Sequence, residues 1–385
     1  MQQLFWKTLL FSIVLLLSCQ KDNGNPAPEP EPEPMSEDPL PDGPTRGVWL
    51  TNVDSDALTS RDKIQAAVDL CYKYKINTIF MVVWNKGFTL FPSAVMEQTF
   101  GVKIDPSLGA RDPLQELIEL AKPRGIKVYA WFEYGFASSY GAPSDGGPLL
   151  QKKPHWAGRD SAGKILSKNN FQWMNALHPE VQDFMISLVK EVAAKYDITG
   201  IQGDDRLPAM PSEGGYDSLT VARYKAQFGV NPPASSKDAA WVDWRAKQLN
   251  DFGKRLYQEV KTVKPGIVVS MSPSIFPWSK EEYLQDWPAW VKEGYTDMVC
   301  PQIYRYDLGA YQGELSKIVN QQLTATEKQR LFPGILLKVG SYTASATFLE
   351  QMVQENRRNG VNGEVFFFFE GLKAQPAFFE KYKNL

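Results

Sequence analysis

Asp112-Pro113-Leu114-Gln115-Glu116-Leu117-Ile118-Glu119-Leu120-Ala121-Lys122-Pro123-Arg124-Gly125-Ile126, running directly into Lys127-Val128-Tyr129-Ala130-Trp131-Phe132-Glu133, reads as one helix followed by one strand. Asp112 supplies an N-cap and Pro113 occupies the first helical position, where its missing N–H costs nothing. Leu114, Leu117, Ile118 and Ala121 then fall on helical spacing, and Gly125 stops the helix. The apolar run after it predicts a strand. The same alternation extends in both directions from Arg46 onward. Candidate strands are Gly47–Asp54, Asn77–Trp84, Lys127–Glu133, Gly200–Asp205, Ile267–Pro273, Asp297–Tyr304, Phe332–Lys338 and Glu364–Glu370. Between them, Ser60 caps a helix striped by Ile64, Ala67, Val68 and Cys71. Val181, Phe184, Leu188 and Val192 form a second stripe after Pro179. Eight strand–helix units predict a (β/α)8 TIM barrel, a single α/β domain over residues 45–385. The rival, an open doubly wound sheet, lacks its usual support. No GxGxxG follows an early strand and no GxxxxGK[ST] occurs.

Composition narrows the function. Hydrophobic residues are 43% and charged residues 22% of the 385, the balance of a globular chain. The net charge of −2 supplies no basic field, so no nucleic-acid partner is expected. Aromatic residues reach 12%, with eleven Trp, and their flat faces suit sugar rings, although most must serve the core. His155 and His178 are the two His, far apart in sequence, and no Cys cluster joins them. A His/Cys zinc site is therefore not expected, and neither a metal nor another cofactor is called for. Cys71 falls in a predicted helix and Cys300 in a predicted strand, both as small buried hydrophobes.

Residues 1–19 read as a targeting segment. Lys7 provides the positive region, and Leu9 to Leu17 is an apolar stretch too short to span a bilayer. It ends in Leu16-Leu17-Ser18-Cys19, which predicts a lipoprotein signal with Cys19 as the lipidated first residue of the mature protein. Plain secretion with an incidental Cys is the alternative. Gln20-Lys21-Asp22-Asn23 looks like a surface-export signal. Residues 20–44 then form a Pro/Glu-rich disordered tether, extended and self-repelling. The expected location is the cell envelope, as an outer-membrane lipoprotein held at the surface by its N-terminal lipid.

In a barrel, chemistry sits at the C-terminal ends of the strands. Those ends carry Asn52 and Asp54; Trp84-Asn85; Trp131-Phe132-Glu133-Tyr134; Gly203-Asp204-Asp205-Arg206; Gln302-Ile303-Tyr304-Arg305; and Glu370. Glycoside cleavage needs two carboxyl groups, one protonating the leaving oxygen and one attacking carbon or activating water. Asp204-Asp205 is the sharpest signal. Neighbouring residues point to opposite faces, so one Asp is expected at the barrel mouth as the catalytic carboxylate and the other in a cap or turn. Glu133, among Trp131, Phe132 and Tyr134, is the expected partner, with its pKa raised by apolar surroundings. Its bland alternative is an ion pair with Arg206. Asp54, Asn175, Gln302, Tyr304 and Glu370 are candidates for binding sugar hydroxyls. Trp84, Trp131 and Trp287 are candidates for stacking, with core packing equally open to Trp287 and Trp290 because of their helical spacing.

These residues resemble a known family. Arg46-Gly47-Val48-Trp49-Leu50-Thr51-Asn52, Phe91-Pro92-Ser93, Asp112-Pro113-Leu114, Ala130-Trp131-Phe132-Glu133-Tyr134-Gly135-Phe136, Trp173 to Val181, Gly200-Ile201-Gln202-Gly203-Asp204-Asp205, Asp286-Trp287 and Pro301-Gln302-Ile303-Tyr304-Arg305 are similar to motifs of the glycosyl-hydrolase-like family ten. The resemblance covers residues 45–385. It implies a TIM-barrel glycosidase and, for some members, cleavage of peptidoglycan glycan strands. At the third strand many members carry Asn-Pro-Tyr-Arg. This chain has the Phe-Glu subgroup form, which makes Asp205 and Asp204 the more secure catalytic candidates. No appended domain is expected after the eighth strand.

The sequence thus predicts a glycoside hydrolase acting on a bacterial or environmental glycan. The alternative is a non-catalytic glycan-binding surface lipoprotein on the same barrel. A serine esterase is poorly served, with two His and no GxSxG.

Overall fold

Parallel strands close on themselves in the order expected for a barrel. The computed structural model describes residues 38–141 and 144–384, so the expected signal segment, Cys19 and most of the tether lie outside the described residues. The strands are β1 (Thr45–Leu50), β2 (Thr78–Asn85), β3 (Lys127–Phe132), β4 (Gly200–Gly203), β5 (Val268–Met271), β6 (Met298–Val299 with Gln302–Ile303), β7 (Gly334–Leu336) and β8 (Gly363–Phe367). Each pairs in parallel with its sequence neighbour, and β8 returns to β1, with Val48 opposite Phe366. β6 is interrupted at Cys300-Pro301, yet it still bridges β5 and β7. Met298 and Val299 pair with Ser270 and Met271, while Gln302 and Ile303 pair with Gly334 and Ile335. Phe332 N–H donates to the Val299 carbonyl at 2.9 Å, which completes the closure.

Helices α1 (Arg61–Lys73), α2 (Pro113–Ala121), α3 (Pro179–Lys195), α4 (Ala239–Val263), α5 (Trp287–Glu293), α6 (Leu308–Lys317), α7 (Ala346–Arg358) and α8 (Pro376–Tyr382) follow the strands in turn. Their starts are written in cap residues. Ser60 Oγ accepts from Lys63 N at 3.2 Å, and Asp112 Oδ1 accepts from Gln115 N at 3.1 Å. α3 is capped by His178, whose Nδ1 accepts from Glu180 N at 3.2 Å. The buried residues of α1 are Ile64, Ala67, Val68 and Cys71, the stripe read from the sequence. Cys71 and Cys300 are buried and unpaired, and burial pushes the Cys300 thiol up to about 12.

Large rings fill the barrel. Tyr129 lies 4.7 Å from Phe80, Phe80 lies 5.9 Å from Trp49, and Trp49 lies 6.3 Å from Trp131, centroid to centroid. β4 makes room for them with Gly200, where a Cβ would collide with the Tyr129 ring. A polar line crosses the interior above this level. Trp49 Nε1 donates to Gln202 Oε1 at 2.7 Å, and Gln202 Nε2 donates to Ser270 Oγ at 2.8 Å.

The lower rim is fastened by charge. The Glu364 side chain is fully buried and accepts from Arg357 Nη1 and Nη2, both at 2.9 Å, from Asn356 Nδ2 at 3.1 Å and from Tyr382 OH at 2.5 Å. This ties β8, α7 and α8 together. The end of the expected tether also touches this rim. Leu40 N–H donates to the Arg124 carbonyl at 2.8 Å, and Asn77 Nδ2 donates to the Pro44 carbonyl at 2.8 Å. Residues 38–44 therefore lie on the barrel and are not free of it. Removing Arg357 strands a buried carboxylate, so Arg357→Ala should cost about 3–5 kcal/mol. Urea unfolding should show the midpoint falling with little change in slope.

Candidate active site

The upper rim is built where β3 and β4 end. Tyr134 adopts φ 64°, which turns the chain sharply after Glu133. Gly135 follows with φ 36°, and a Cβ there would run into the Arg206 carbonyl oxygen. That close approach lets the β3 turn lie on the β4 turn. Asp204 joins the two, since its Oδ2 accepts from Tyr134 N at 2.6 Å and its Oδ1 from Arg206 N at 2.8 Å. Gln285 Nε2 donates to the Asp204 carbonyl at 3.0 Å and holds the turn from the β5 side. The loop that continues from it is pinned by the buried Arg245, which donates to the carbonyls of Ser212 (2.5 Å), Gly214 (2.6 Å) and Ser236 (2.6 Å). Burial pushes the Arg245 guanidinium down to about 9.

Three carboxyl groups occupy this rim in different settings. Glu133 is 4% exposed. Thr51 Oγ1 donates to its Oε2 at 2.8 Å and Asn85 Nδ2 donates to the same oxygen at 2.5 Å. Oε1 is left without a protein donor among the described residues. Burial outweighs both donors and the nearby Arg206 charge, and it raises Glu133 to about 7. Asp204 is also raised well above the usual carboxylate range, by burial first and by the charge of Asp205 second. Asp205 is the open member, with its side chain 19% exposed and Oδ1 accepting from Arg206 Nη1 at 2.7 Å. The Arg206 guanidinium lies against the packed rings of Tyr134 (4.8 Å) and Phe171 (5.0 Å). Its direct ion pair is with Asp205 and not with Glu133.

Tyr304 completes the group. It is raised well above its usual range by burial first, and then by the charges of Asp205, Cys300, Asp204 and Glu133. Gln302, beside it on β6, is partly buried and donates to the Ser272 carbonyl at 3.0 Å. Asp54 is exposed on the loop after β1, at φ 52°. Glu370 sits at the end of β8 and accepts from Ser55 Oγ at 2.8 Å, so the β1 and β8 loops are joined at the rim.

Several expected binding residues lie elsewhere. Trp84 is fully buried, 5.9 Å from Phe184 of α3, and donates to the Gly135 carbonyl at 2.8 Å. A register shift between Val82 and Trp84 turns it outward and leaves Asn85 facing Glu133. Trp131 points inward but lies in the ring layer against Trp49. Asn175 is buried in a turn, accepting from Leu177 N and donating to Thr220 Oγ1. Trp287 and Trp290 are core residues. Thr51 and Asn85 both hold Glu133; Asn85 stands at a strand end named in the sequence, whereas Thr51, one residue before Asn52, was not singled out. Gln285 and Arg245 carried no signal, because each acts on a distant backbone. Gly135→Ala should force the two turns apart and destabilise the protein by about 1–3 kcal/mol. Amide exchange at Tyr134, whose N–H is held by Asp204, should accelerate by the same substitution.

The family model described as "Glycosyl hydrolase-like 10" matches residues 44–344. The chain is 26% identical over 299 residues to "Glycosyl hydrolase DigH" of Escherichia coli K12, covering 68% of this chain and 65% of that protein. It is 24% identical over 293 residues to "Glycosyl hydrolase YngK" of Bacillus subtilis, covering 67% of this chain and 54% of that protein. The chain thus spans less than two thirds of the length of either relative. Among solved structures, the glycoside hydrolase domain of PgaB (BpsB) from Bordetella bronchiseptica superposes with a TM-score of 0.67 at 15% identity, covering 89% of this chain and 98% of that one. The catalytic domain of a Paenibacillus polymyxa beta-amylase gives 0.61 at 10%, covering 87% and 96%. At those identities the likeness is one of fold, and it is the sequence match from the first strand to beyond the seventh that makes this chain a member of the Glycosyl hydrolase-like 10 family.

Proposed function

We propose that the protein hydrolyses O-glycosidic bonds in an envelope or environmental glycan, with peptidoglycan strands as the foremost substrate. The carrying observation is the pairing of a buried acid with an open carboxylate on adjacent strand ends. Glu133, raised to about 7, keeps a proton near neutral pH and offers it to the leaving oxygen through Oε1. Asp205, held by Arg206 at 2.7 Å, attacks the anomeric carbon or directs a water at it. Asp204 fixes the two turns by its backbone bonds. Tyr304, Gln302, Asp54 and Glu370 line the sugar-binding rim. The family match and the glycosidase folds support this reading, as does the apolar floor under Glu133. The lipid at Cys19 would hold the barrel at the outer membrane beside such glycans.

Reducing-end release from purified peptidoglycan strands tests the chemistry. Glu133→Gln and Asp205→Asn should each lower the rate about 10²–10⁴-fold, and equal rates in wild type and Asp205→Asn would refute the assignment. The wild-type rate should fall as pH rises through about 7, where Glu133 loses its proton. Stability should move in the same direction. A carboxyl raised from 4.5 to about 7 contributes fully below pH 4.5 and loses that contribution as pH rises to 7. Wild type should therefore lose roughly 3 kcal/mol relative to Glu133→Gln across that window, read by urea unfolding. Separately, Cys19→Ser should move the protein from the membrane fraction to the soluble one.

A further inference from the structure

The two sides of the barrel mouth are built differently. On the β3–β5 side, the long loop after β3 folds into a small sheet of Ala137–Tyr140, Phe171–Trp173 and Ser167–Lys168. Lys168 Nζ reaches Glu213 Oε1 at 3.0 Å and Glu282 Oε2 at 2.7 Å, and Asn169 Nδ2 donates to Tyr283 OH at 2.9 Å. The loops after β3, β4 and β5 are thus laced into one wall.

On the β6–β7 side the rim is short and aromatic. Tyr306 is 66% exposed, the most exposed large hydrophobic side chain among the described residues. Its ring meets Tyr342 edge to face at 4.8 Å and 79°. Tyr342 belongs to a hairpin of Lys338–Val339 and Tyr342–Thr343, whose Val339 is also exposed. The backbone that carries each ring is fixed nearby. Asp307, next to Tyr306, accepts from Ala310 N at 2.8 Å to cap α6, and Ala344 N–H donates to the Leu337 carbonyl at 2.9 Å to close the hairpin base. Little freedom is lost if something stacks on such a pair.

We infer that Tyr306 and Tyr342 form a sugar-binding platform for a pyranose ring of the substrate chain, outside the rings that flank the cleaved bond. The inference rests on the glycosidase reading above. A pyranose presents an apolar C–H face with hydroxyls at its edge, which matches a tyrosine ring and its O–H. The platform continues the rim, since Tyr304, two residues earlier at the end of β6, packs on Phe367 of β8 with ring centroids 5.2 Å apart. Two extended residues span at most about 7 Å, which sets the platform a ring or two from the scissile bond. With the β3–β5 side walled, the glycan leaves the mouth over β6 and β7. The substrate is therefore an extended polymer, and length is part of its recognition.

The test uses the full chain, with peptide-free peptidoglycan strands sorted into short and long fractions. Binding is read by affinity electrophoresis in an Asp205→Asn background, and turnover by reducing-end release in the parent. Tyr306→Ala and Tyr342→Ala should weaken binding of long strands about tenfold, leave short fragments nearly unchanged, and raise KM more than they lower kcat. Tyr306→Phe, which keeps the ring, should retain most of the affinity. Equal binding of long strands by parent and Ala variants overturns the platform, as does failure of the parent to bind either fraction. If the parent binds and the Ala variants weaken it but no turnover occurs, the hydrolase reading fails while the platform stands.

Discussion

Everything at the rim depends on how the barrel interior is filled. A closed parallel barrel has a lumen that water must not occupy, and here rings occupy it, stepping from Tyr129 through Phe80 and Trp49 to Trp131. Gly200 is the complement of that choice, because the space a Cβ would take already belongs to Tyr129. The result is a dry floor directly under Glu133. Thr51 and Asn85 both stabilise its ionised form, and hydrogen bonds to a charged group contribute about 1.5–3 kcal/mol each. Burial still wins, and the group ends near 7. The raised Glu133 carboxyl is a consequence of packing, with the two donors orienting it and burial setting its proton affinity.

The doubled aspartate divides along the same line. Asp204 continues the inward alternation of Gln202, so it enters the enclosed side of the rim and finds backbone N–H groups from both turns. Asp205 comes after the strand has ended. Freed from the pleat, it meets the Arg206 side chain and stays partly exposed. Arg206 in turn is fixed by the rings of Tyr134 and Phe171, so the position of Asp205 is inherited from the β3 loop.

The fold was legible because each strand and helix carries its own local signal. All eight expected strands appear, with ends shifted by one to a few residues, and the caps at Ser60 and Asp112 are where the residue types put them. Glu133, Asp204, Asp205 and Tyr304 were legible through position alone, as polar residues where barrel strands stop. The failures share a cause. Trp84 follows the alternation rule on paper, but a register shift before it reverses its direction, and no residue type announces that shift. Asn175 was read as a sugar ligand, yet its amide is consumed by a turn and by Thr220, a partner many residues away. His155 and His178 are separated in sequence and yet their rings lie 5.6 Å apart, where His178 caps α3 and His155 bonds Glu180 at 3.1 Å. Long-range proximity of this kind follows from the closed fold and cannot be counted along the chain.

The laced wall and the dry floor meet at Tyr134. Single surface ion pairs contribute about 0–1 kcal/mol, so the Lys168 pairs with Glu213 and Glu282 do little for global stability. Their effect is local. Lys168 is largely covered, lies 4.8 Å from the Tyr283 ring centroid, and secures the strand that carries Phe171. Phe171 packs on Tyr134 at 4.5 Å, and Tyr134 is the residue that closes the turn over Glu133. If that wall opened, water would reach Glu133 from the side and its proton affinity would fall toward that of an ordinary carboxyl group. The rigid charged wall on one side and the open aromatic rim on the other are therefore complementary. In the proposed mechanism the wall would keep Glu133 protonated, and the open rim would leave a path along which a long chain can lie without disturbing it.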